Sequence, residues 1–95
     1  MVKAAAEPEV ESFLAMLAAQ RGAAANTLSA YRRDLAGAAL AIGKLAQAGR
    51  DDIAKLASIW ADLAPSSLAR KASALRQFYG FLVVFGGKLK RQDLL

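Results

Sequence analysis

The sequence predicts a compact, all-α four-helix bundle, and three observations lead to this prediction. Large apolar residues recur at spacings of three and four in four separate segments, glycine or proline lies between the segments, and no segment alternates as a strand does. A chain of 95 residues is long enough for one domain and too short for two. We expect a flexible N-terminus over 1–7, the four-helix domain over 8–87 and a linker or tail over 88–95.

The first two helices are predicted over about 8–20 and 25–42. The first has acidic residues near its start, where they complement the helix dipole, and Gly22 favours its end through a left-handed backbone conformation. The second carries Leu28, Tyr31 and Leu35 on one side. Asn26 is its predicted N-cap, because an asparagine amide can accept hydrogen bonds from the free N–H groups of a first turn.

The third and fourth helices are predicted over about 51–63 and 65–85. Asp51 and Asp52 stand in the first turn of the third helix, which indicates a helix start rather than a metal site. Pro65 begins the fourth helix, since a first turn does not use the N–H that proline lacks. The linker over 43–50 is expected to pack Leu45 inward. The predicted core consists of Phe13, Leu14, Leu17, Tyr31, Leu35, Ile42, Ile53, Leu56, Trp60, Leu63, Leu75, Phe78, Tyr79 and Leu82.

The composition narrows the possible functions. Thirteen Lys and Arg against eight Asp and Glu give a net charge of +5, which favours binding to polyanions. The chain has no histidine and no cysteine, so the usual general base, thiolate chemistry and cysteine zinc sites are excluded. We therefore expect no enzyme activity in this chain, no cofactor and no metal. No apolar run approaches membrane-spanning length, and we expect a cytoplasmic protein with no membrane partner.

The predicted fourth helix separates an apolar face from a polar one. Setting residues about 100° apart places Leu68, Ala72, Leu75, Tyr79 and Leu82 on a core face. The opposite face contains Ser66, Arg70, Ser73 and Gln77, with Lys71 and Arg76 on its flanks. This helix has no acidic residue. Two interpretations stay open: an ordinary solvated face, or a face that binds phosphate oxygens through cations, hydroxyls and helix N–H groups.

The second helix offers a similar exposed side. Arg33 projects nearly opposite Leu28 and Leu35, Arg32 lies at the border, and Thr27 lies in the first turn. Asp34 is expected to pair with a neighbouring arginine or with another helix. With the polar face of the fourth helix, these positions give the candidates for contact with a nucleic-acid backbone, which are Thr27, Arg32, Arg33, Ser66, Arg70, Lys71, Ser73, Arg76 and Gln77.

The C-terminal end of the fourth helix is apolar nearly all round, and an exposed helix of that kind usually has a partner. Phe81 and Val84 fall on the side opposite Leu75 and Tyr79, so we expect Phe81, Val84 and Phe85 to form a partner interface. Helix 1, a second copy of the chain or a further domain would cover it, and weak self-association is expected.

These segments together resemble a known family. The order and spacing of several short segments resemble those in the N-terminal core-binding, SAM-like domain of tyrosine recombinases and phage-type integrases. The segments are Phe13–Leu17 with Arg21-Gly22, Asn26–Leu28 with Tyr31–Leu35, Asp51–Ile53, and Ser67–Arg70 with Ser73–Tyr79. Within that family the pattern most resembles the Xer (XerD-like) group.

The resemblance implies half of a C-shaped clamp on duplex DNA at a recombination half-site, with the second and fourth helices crossing the major groove. The DNA-binding candidates that it implies by position are Thr27, Arg32, Arg33, Ser67, Arg70, Lys71, Ser73 and Arg76. The family's catalytic residues belong to a C-terminal domain that we expect to be missing here, so Tyr31 and Tyr79 are not assigned as nucleophiles. The implied partners are double-stranded DNA, that catalytic domain and neighbouring recombinase protomers. The implied setting is the nucleoid, with a role in resolving chromosome dimers.

The sequence thus favours a non-catalytic DNA-binding domain of a site-specific recombinase. The alternative is a small helical protein–protein interaction domain that uses the apolar end of helix 4, in which case the basic face is incidental.

Overall fold

A computed structural model describes residues 7–86 and confirms an all-α fold. Four α-helices and two short helical segments follow one another, and no strand occurs in the range described. Most of the predicted N-terminus and tail, residues 1–6 and 87–95, lies outside the described range. The elements are α1 (Pro8–Arg21), α2 (Ala25–Ile42), a 3-10 turn (Leu45–Gln47), α3 (Arg50–Ile59), α4 (Pro65–Phe81) and a π-helical turn (Leu82–Gly86).

The end of α1 and the start of α2 lie three residues apart. Gly22 adopts a left-handed conformation with φ 60°, and the N–H of Ala23 donates to the Leu17 carbonyl at 3.1 Å. The predicted N-cap of α2 is wrong. Ala24 occupies that position with an extended backbone, its carbonyl accepts the Leu28 N–H at 3.0 Å, and Asn26 lies within the first turn.

The third helix ends earlier than predicted. It stops at Ile59, and the chain tightens into a turn in which the Leu63 N–H donates to the Trp60 carbonyl at 3.1 Å. Pro65 keeps the chain from continuing as one helix into α4, because a residue before proline is disfavoured in the helical region, and Ala64 has ψ 145°. Leu63, predicted as core, is consequently exposed.

The 3-10 turn between α2 and α3 is fixed from two sides. Leu45 is fully buried, as predicted. Its N–H donates to a Glu7 carboxylate oxygen at 2.6 Å, and its carbonyl accepts the Tyr79 hydroxyl at 2.9 Å. The turn therefore joins the start of α1 to α4.

The core is built around two phenylalanines. Phe13 of α1 and Phe78 of α4 are fully buried and meet edge to face, with ring centroids 5.7 Å apart. Ala38 and Ala74 are also fully buried and allow α2 and α4 to approach closely. Within residues 7–86, the buried apolar residues are Val10, Phe13, Leu14, Leu17, Leu35, Ala38, Leu45, Leu56, Ala74 and Phe78.

The predicted core face of α4 is only partly right. Phe78 is buried as predicted, and Leu75, Tyr79 and Leu82 pack against the core while remaining partly exposed. Ala74 and Phe78 point into the core, whereas Leu68, predicted as core, is exposed. Leu68 instead borders an open groove of about 470 Å³ between α3 and α4, hereafter the α3/α4 groove. Ile53 of α3, also predicted as core, lines the same groove and is exposed.

The second helix lies at the centre of the bundle, because α1, α3 and α4 all pack against it. Within the described part of the chain, no helix is both long and apolar enough to cross a membrane.

Candidate nucleic-acid interface

The contact between α2 and α4 involves four of the predicted site residues, all of them on α4. Tyr31 meets Ser73 and Gln77, and Asp34 meets Arg70 and Lys71. As the residue number rises along α2, the partner number falls along α4, so the two helices run in opposite directions at the contact.

An ion-pair cluster forms the centre of this contact. The Asp34 side chain is only 3% exposed, and Arg70 donates to both of its oxygens, from Nε at 2.8 Å and from Nη2 at 3.0 Å. Lys71 Nζ donates to Asp34 Oδ1 at 2.9 Å. The same Nζ lies 5.5 Å from the centre of the Trp60 ring, in cation–π range. The pairing of Asp34 with an arginine of another helix, expected from the sequence, is confirmed.

The electrostatics of the cluster keep Asp34 ionised. Burial alone would raise the pKa of this carboxyl group, but the hydrogen bonds and charges of Arg70 and Lys71 outweigh it and hold the pKa below its usual value. Reciprocally, the hydrogen bond to Asp34 raises the pKa of Arg70. The single buried negative charge is thus matched by two cations, and the cluster keeps a net positive charge.

A second polar network lies toward the N-terminal end of α2. Gln77 Nε2 donates to the Tyr31 hydroxyl at 3.1 Å and to Ser73 Oγ at 2.9 Å, while its Oε1 accepts from Arg21 Nη1 at 3.3 Å. Tyr31 is half-buried, with its ring in the core and its hydroxyl at the rim, as expected. Arg21 thereby joins α1 to this edge of the bundle.

The structure corrects the predicted polar face of α4. Ser73 and Gln77 were expected to point away from the bundle, but both are half-buried and bonded to α2. Arg70 was expected to point away from the core, but its guanidinium group pairs with the buried Asp34 while 44% of the side chain stays exposed. Both differences arise because this face of α4 packs against α2.

The remaining candidate residues occupy different surroundings. Arg33 and Arg76 are exposed, and neither has a hydrogen-bonding or ionic partner among residues 7–86. Thr27 and Ser66 are exposed in the first turns of α2 and α4, and Ser67 is half-buried. Arg32 turns toward α1, where it pairs with Glu11. Lys71 is largely covered.

One residue of this region was missed by sequence reasoning. Arg21 follows the last apolar position of α1, and no periodic pattern marks it as part of a site. Its position depends on the turn at Gly22 and on Gln77, which lies 56 residues away. We use the term α2/α4 surface for a set of exposed polar side chains along these two helices and their edge, which are Arg21, Thr27, Arg33, Ser66 and Arg70. Arg76 instead lines the α3/α4 groove.

The α2/α4 surface is one-sided in charge. Asp34 is the only acidic residue of α2, α4 has none, and Asp34 is buried. The other acidic residues of the described range lie at the start of α1 and in or directly after α3. An approaching polyanion therefore meets cations and hydroxyls on this surface without a facing carboxylate.

The apolar end of α4 is only partly covered. Phe81, predicted to face outward, packs against Phe13 with ring centroids 5.7 Å apart and is half-buried, so helix 1 covers this position. The ring centroids of Phe85 and Phe81 are 4.8 Å apart. Val84 and its neighbour Val83 are exposed.

Comparison with known proteins identifies relatives along most of the chain. The profile of the phage integrase N-terminal SAM-like domain family matches residues 10–85. The tyrosine recombinase XerC of Erythrobacter litoralis is 66% identical over 83 residues, which are 87% of this chain and 26% of that protein. The tyrosine recombinase XerD of Brucella abortus is 47% identical over 79 residues, or 77% of this chain and 26% of that protein.

A relative with lower sequence identity is matched over a similar share of its length. The tyrosine recombinase XerC of Xanthomonas campestris is 41% identical over 87 residues, again with 26% of that protein covered. The chain thus spans about a quarter of the length of the curated relatives it matches. No solved structure matches significantly.

Proposed function

The chain belongs to the family of phage integrase N-terminal, SAM-like domains, and on this premise we propose that it binds duplex DNA through the α2/α4 surface. The carrying observation is that α2 and α4 pack side by side while their single carboxylate, Asp34, is buried between two cations. The charged side chains that remain exposed on these two helices are all positive. Phosphate contacts of this kind fix a protein on the duplex without reading sequence.

The proposal extends to the parent protein. Its relatives are named tyrosine recombinases, so we place the chain as the N-terminal, non-catalytic part of a site-specific recombinase that clamps a recombination half-site. Neighbouring protomers and a catalytic domain outside this chain are then its protein partners, and the nucleoid within the cytoplasm is its place of action.

Neither tyrosine near the α2–α4 contact is suited to act as a nucleophile. The Tyr79 hydroxyl donates to the Leu45 carbonyl, and burial, with the charges of Glu7 and Asp52, raises the pKa of Tyr79 above its usual value. The Tyr31 hydroxyl is held by Gln77. Both side chains are better explained as parts of the scaffold.

The direct test is a titration of the domain with fluorescent duplex and single-stranded DNA over a range of salt concentrations. If about four to six phosphates are neutralised, the log–log slope of duplex affinity against salt is expected to be roughly −4 to −5. Absence of binding at low salt, or an affinity independent of salt, contradicts the proposal.

A charge-matched pair of variants tests the location. Arg33→Ala removes an exposed cation from the α2/α4 surface, and Lys55→Ala removes one from α3. We expect Arg33→Ala to weaken duplex binding and to reduce the salt slope by about 1, with Lys55→Ala having less effect and both retaining stability. Equal losses of affinity would show that only net charge matters.

The alternative, a protein-interaction domain, is favoured by one observation: Val83 and Val84 are exposed beside the half-buried Phe81. The occupant most consistent with the family is a neighbouring protomer. Sedimentation over a range of concentrations, for the wild type and Val84→Ser, tests this surface. A wild type that stays monomeric throughout the range contradicts it.

A further inference from the structure

We propose that Asp34 is a positioning residue for DNA binding, which holds the Arg70 guanidinium group so that its free edge faces a phosphate. This inference rests on the proposed DNA-binding function. The buried carboxylate of Asp34 then has a positive role in binding, although a negative charge near DNA would by itself repel it.

The geometry of the ion pair supports this role. Arginine carries five N–H donors in a planar fork, and Asp34 takes two of them, one from Nε and one from Nη2. Both Nη1 donors and the second Nη2 donor have no partner in the contact with Asp34. The plane of the guanidinium group is fixed by two hydrogen bonds, and the side chain remains 44% exposed. A fixed, exposed fork is suited to phosphate recognition.

Because Asp34 is buried, its negative charge can hold Arg70 without repelling DNA at close range. Its carboxylate is covered, so DNA cannot approach it closely, and both of its oxygens already accept from cations. Lys71, the second cation, is itself held near the Trp60 ring and is largely covered. Arg70 is therefore the member of the cluster that can reach a ligand.

The ordering of Arg70 also has an energetic consequence. A long side chain that is immobilised only on binding loses conformational freedom at that moment. Asp34 imposes this loss during folding, before DNA arrives, so the free-energy cost at the binding step is smaller.

Two possible roles of Asp34 predict opposite results for Asp34→Asn. If Asp34 only diminishes the positive charge of the surface, its removal raises the net charge by one and strengthens duplex binding. If Asp34 positions Arg70, its removal frees the guanidinium group and weakens binding despite the added charge. The asparagine keeps the size of the side chain and one acceptor oxygen.

The experiment compares Asp34→Asn with Glu11→Gln, using fluorescence anisotropy of the domain with duplex DNA. Both variants raise the net charge by one, and both remove a carboxylate paired with an arginine, but the Glu11–Arg32 pair is exposed. We expect Asp34→Asn to weaken duplex binding by about two- to tenfold, the range that corresponds to ordering one long side chain. Glu11→Gln is expected to bind as tightly as the wild type or more tightly.

A double-mutant cycle with Arg70→Ala separates positioning from general structure. In the Arg70→Ala background no guanidinium group remains to be positioned, so Asp34→Asn is expected to cause no further loss of affinity. Circular dichroism of every variant verifies folding, and Asp34→Glu serves as the second variant if Asp34→Asn does not fold. Its longer carboxylate keeps the charge but displaces the fork, so weaker binding by Asp34→Glu also supports positioning.

Two outcomes overturn the inference while leaving the proposed function intact: duplex binding by folded Asp34→Asn equal to or tighter than that of the wild type, or an equal loss in the presence and absence of Arg70. If Asp34→Glu has to be used, wild-type affinity for that variant overturns it as well. Failure of the wild type to bind duplex DNA instead removes the proposed function itself.

Discussion

The two flanks of α4 differ in how they meet the rest of the bundle. The flank toward α2 is polar and closely paired. Asp34 accepts hydrogen bonds from Arg70, and the Tyr31 hydroxyl bonds to Ser73 and Gln77. The flank toward α3 carries larger apolar side chains, but it borders the open α3/α4 groove. The closely packed residues of α4 lie on its core face, where Ala74 and Phe78 are fully buried.

The variant with the largest expected effect removes an aromatic ring from the buried core face of α4. Phe78→Ala deletes a fully buried ring that contacts Phe13, and it is expected to reduce the free energy of unfolding by about 3–5 kcal/mol. Leu68→Ala, on the groove side of the same helix, is expected to cost less than about 1 kcal/mol because Leu68 is exposed. Urea unfolding measures both, and similar losses would show that the two flanks are equally packed.

A second pair of variants adds volume to each flank. Ala74→Leu forces three extra carbon atoms into a site with no exposed surface and is expected to destabilise by about 1–3 kcal/mol. Ala57→Leu places the same atoms in the α3/α4 groove, where there is room, and is expected to change stability by less than about 0.5 kcal/mol. If Ala57→Leu were the more harmful change, the groove would be closed in solution.

The smallest expected effect depends on pH. Because the folded-state pKa of Asp34 lies below its unfolded value, the ionised carboxylate stabilises the fold above the unfolded pKa of about 3.9, and this contribution is lost as pH falls through the folded pKa. The stability difference between wild type and Asp34→Asn should therefore be constant near neutrality and shrink below about pH 4. Urea unfolding at pH 7, 5, 4 and 3 measures it, and a difference that stays constant throughout this range contradicts the ion-pair account.

The sequence was sufficient for the order of the helices and for most of their bounds, because glycine, proline and apolar spacing mark these directly. Gly22 ends α1, Pro65 begins α4 and Leu45 packs inward, all as predicted. The full extent of the core face of α4 was not predictable in this way. Ala74 is fully buried, but alanine carries little periodic signal.

The candidate site was predicted in part for a related reason. The exposure of Arg33 and Arg76 follows from helical phase and is confirmed. The burial of Ser73 and Gln77 depends on the Tyr31 hydroxyl, which lies 42 and 46 residues away in sequence. Arg21 reaches the site only through the bundle's tertiary arrangement. Pairings between residues so distant along the chain leave no periodic pattern within either helix.

The Asp34 cluster also constrains the order in which the domain can be completed during synthesis. Asp34 is buried in the folded domain, yet both of its cationic partners lie 36 and 37 residues further along the chain. A nascent chain that ends before Arg70 has no counter-charge for this carboxylate, so burial of α2 against its neighbours would leave a charge without compensation. We expect fragments ending before α4 to stay open, and the emergence of Arg70 and Lys71 to permit closure of the bundle.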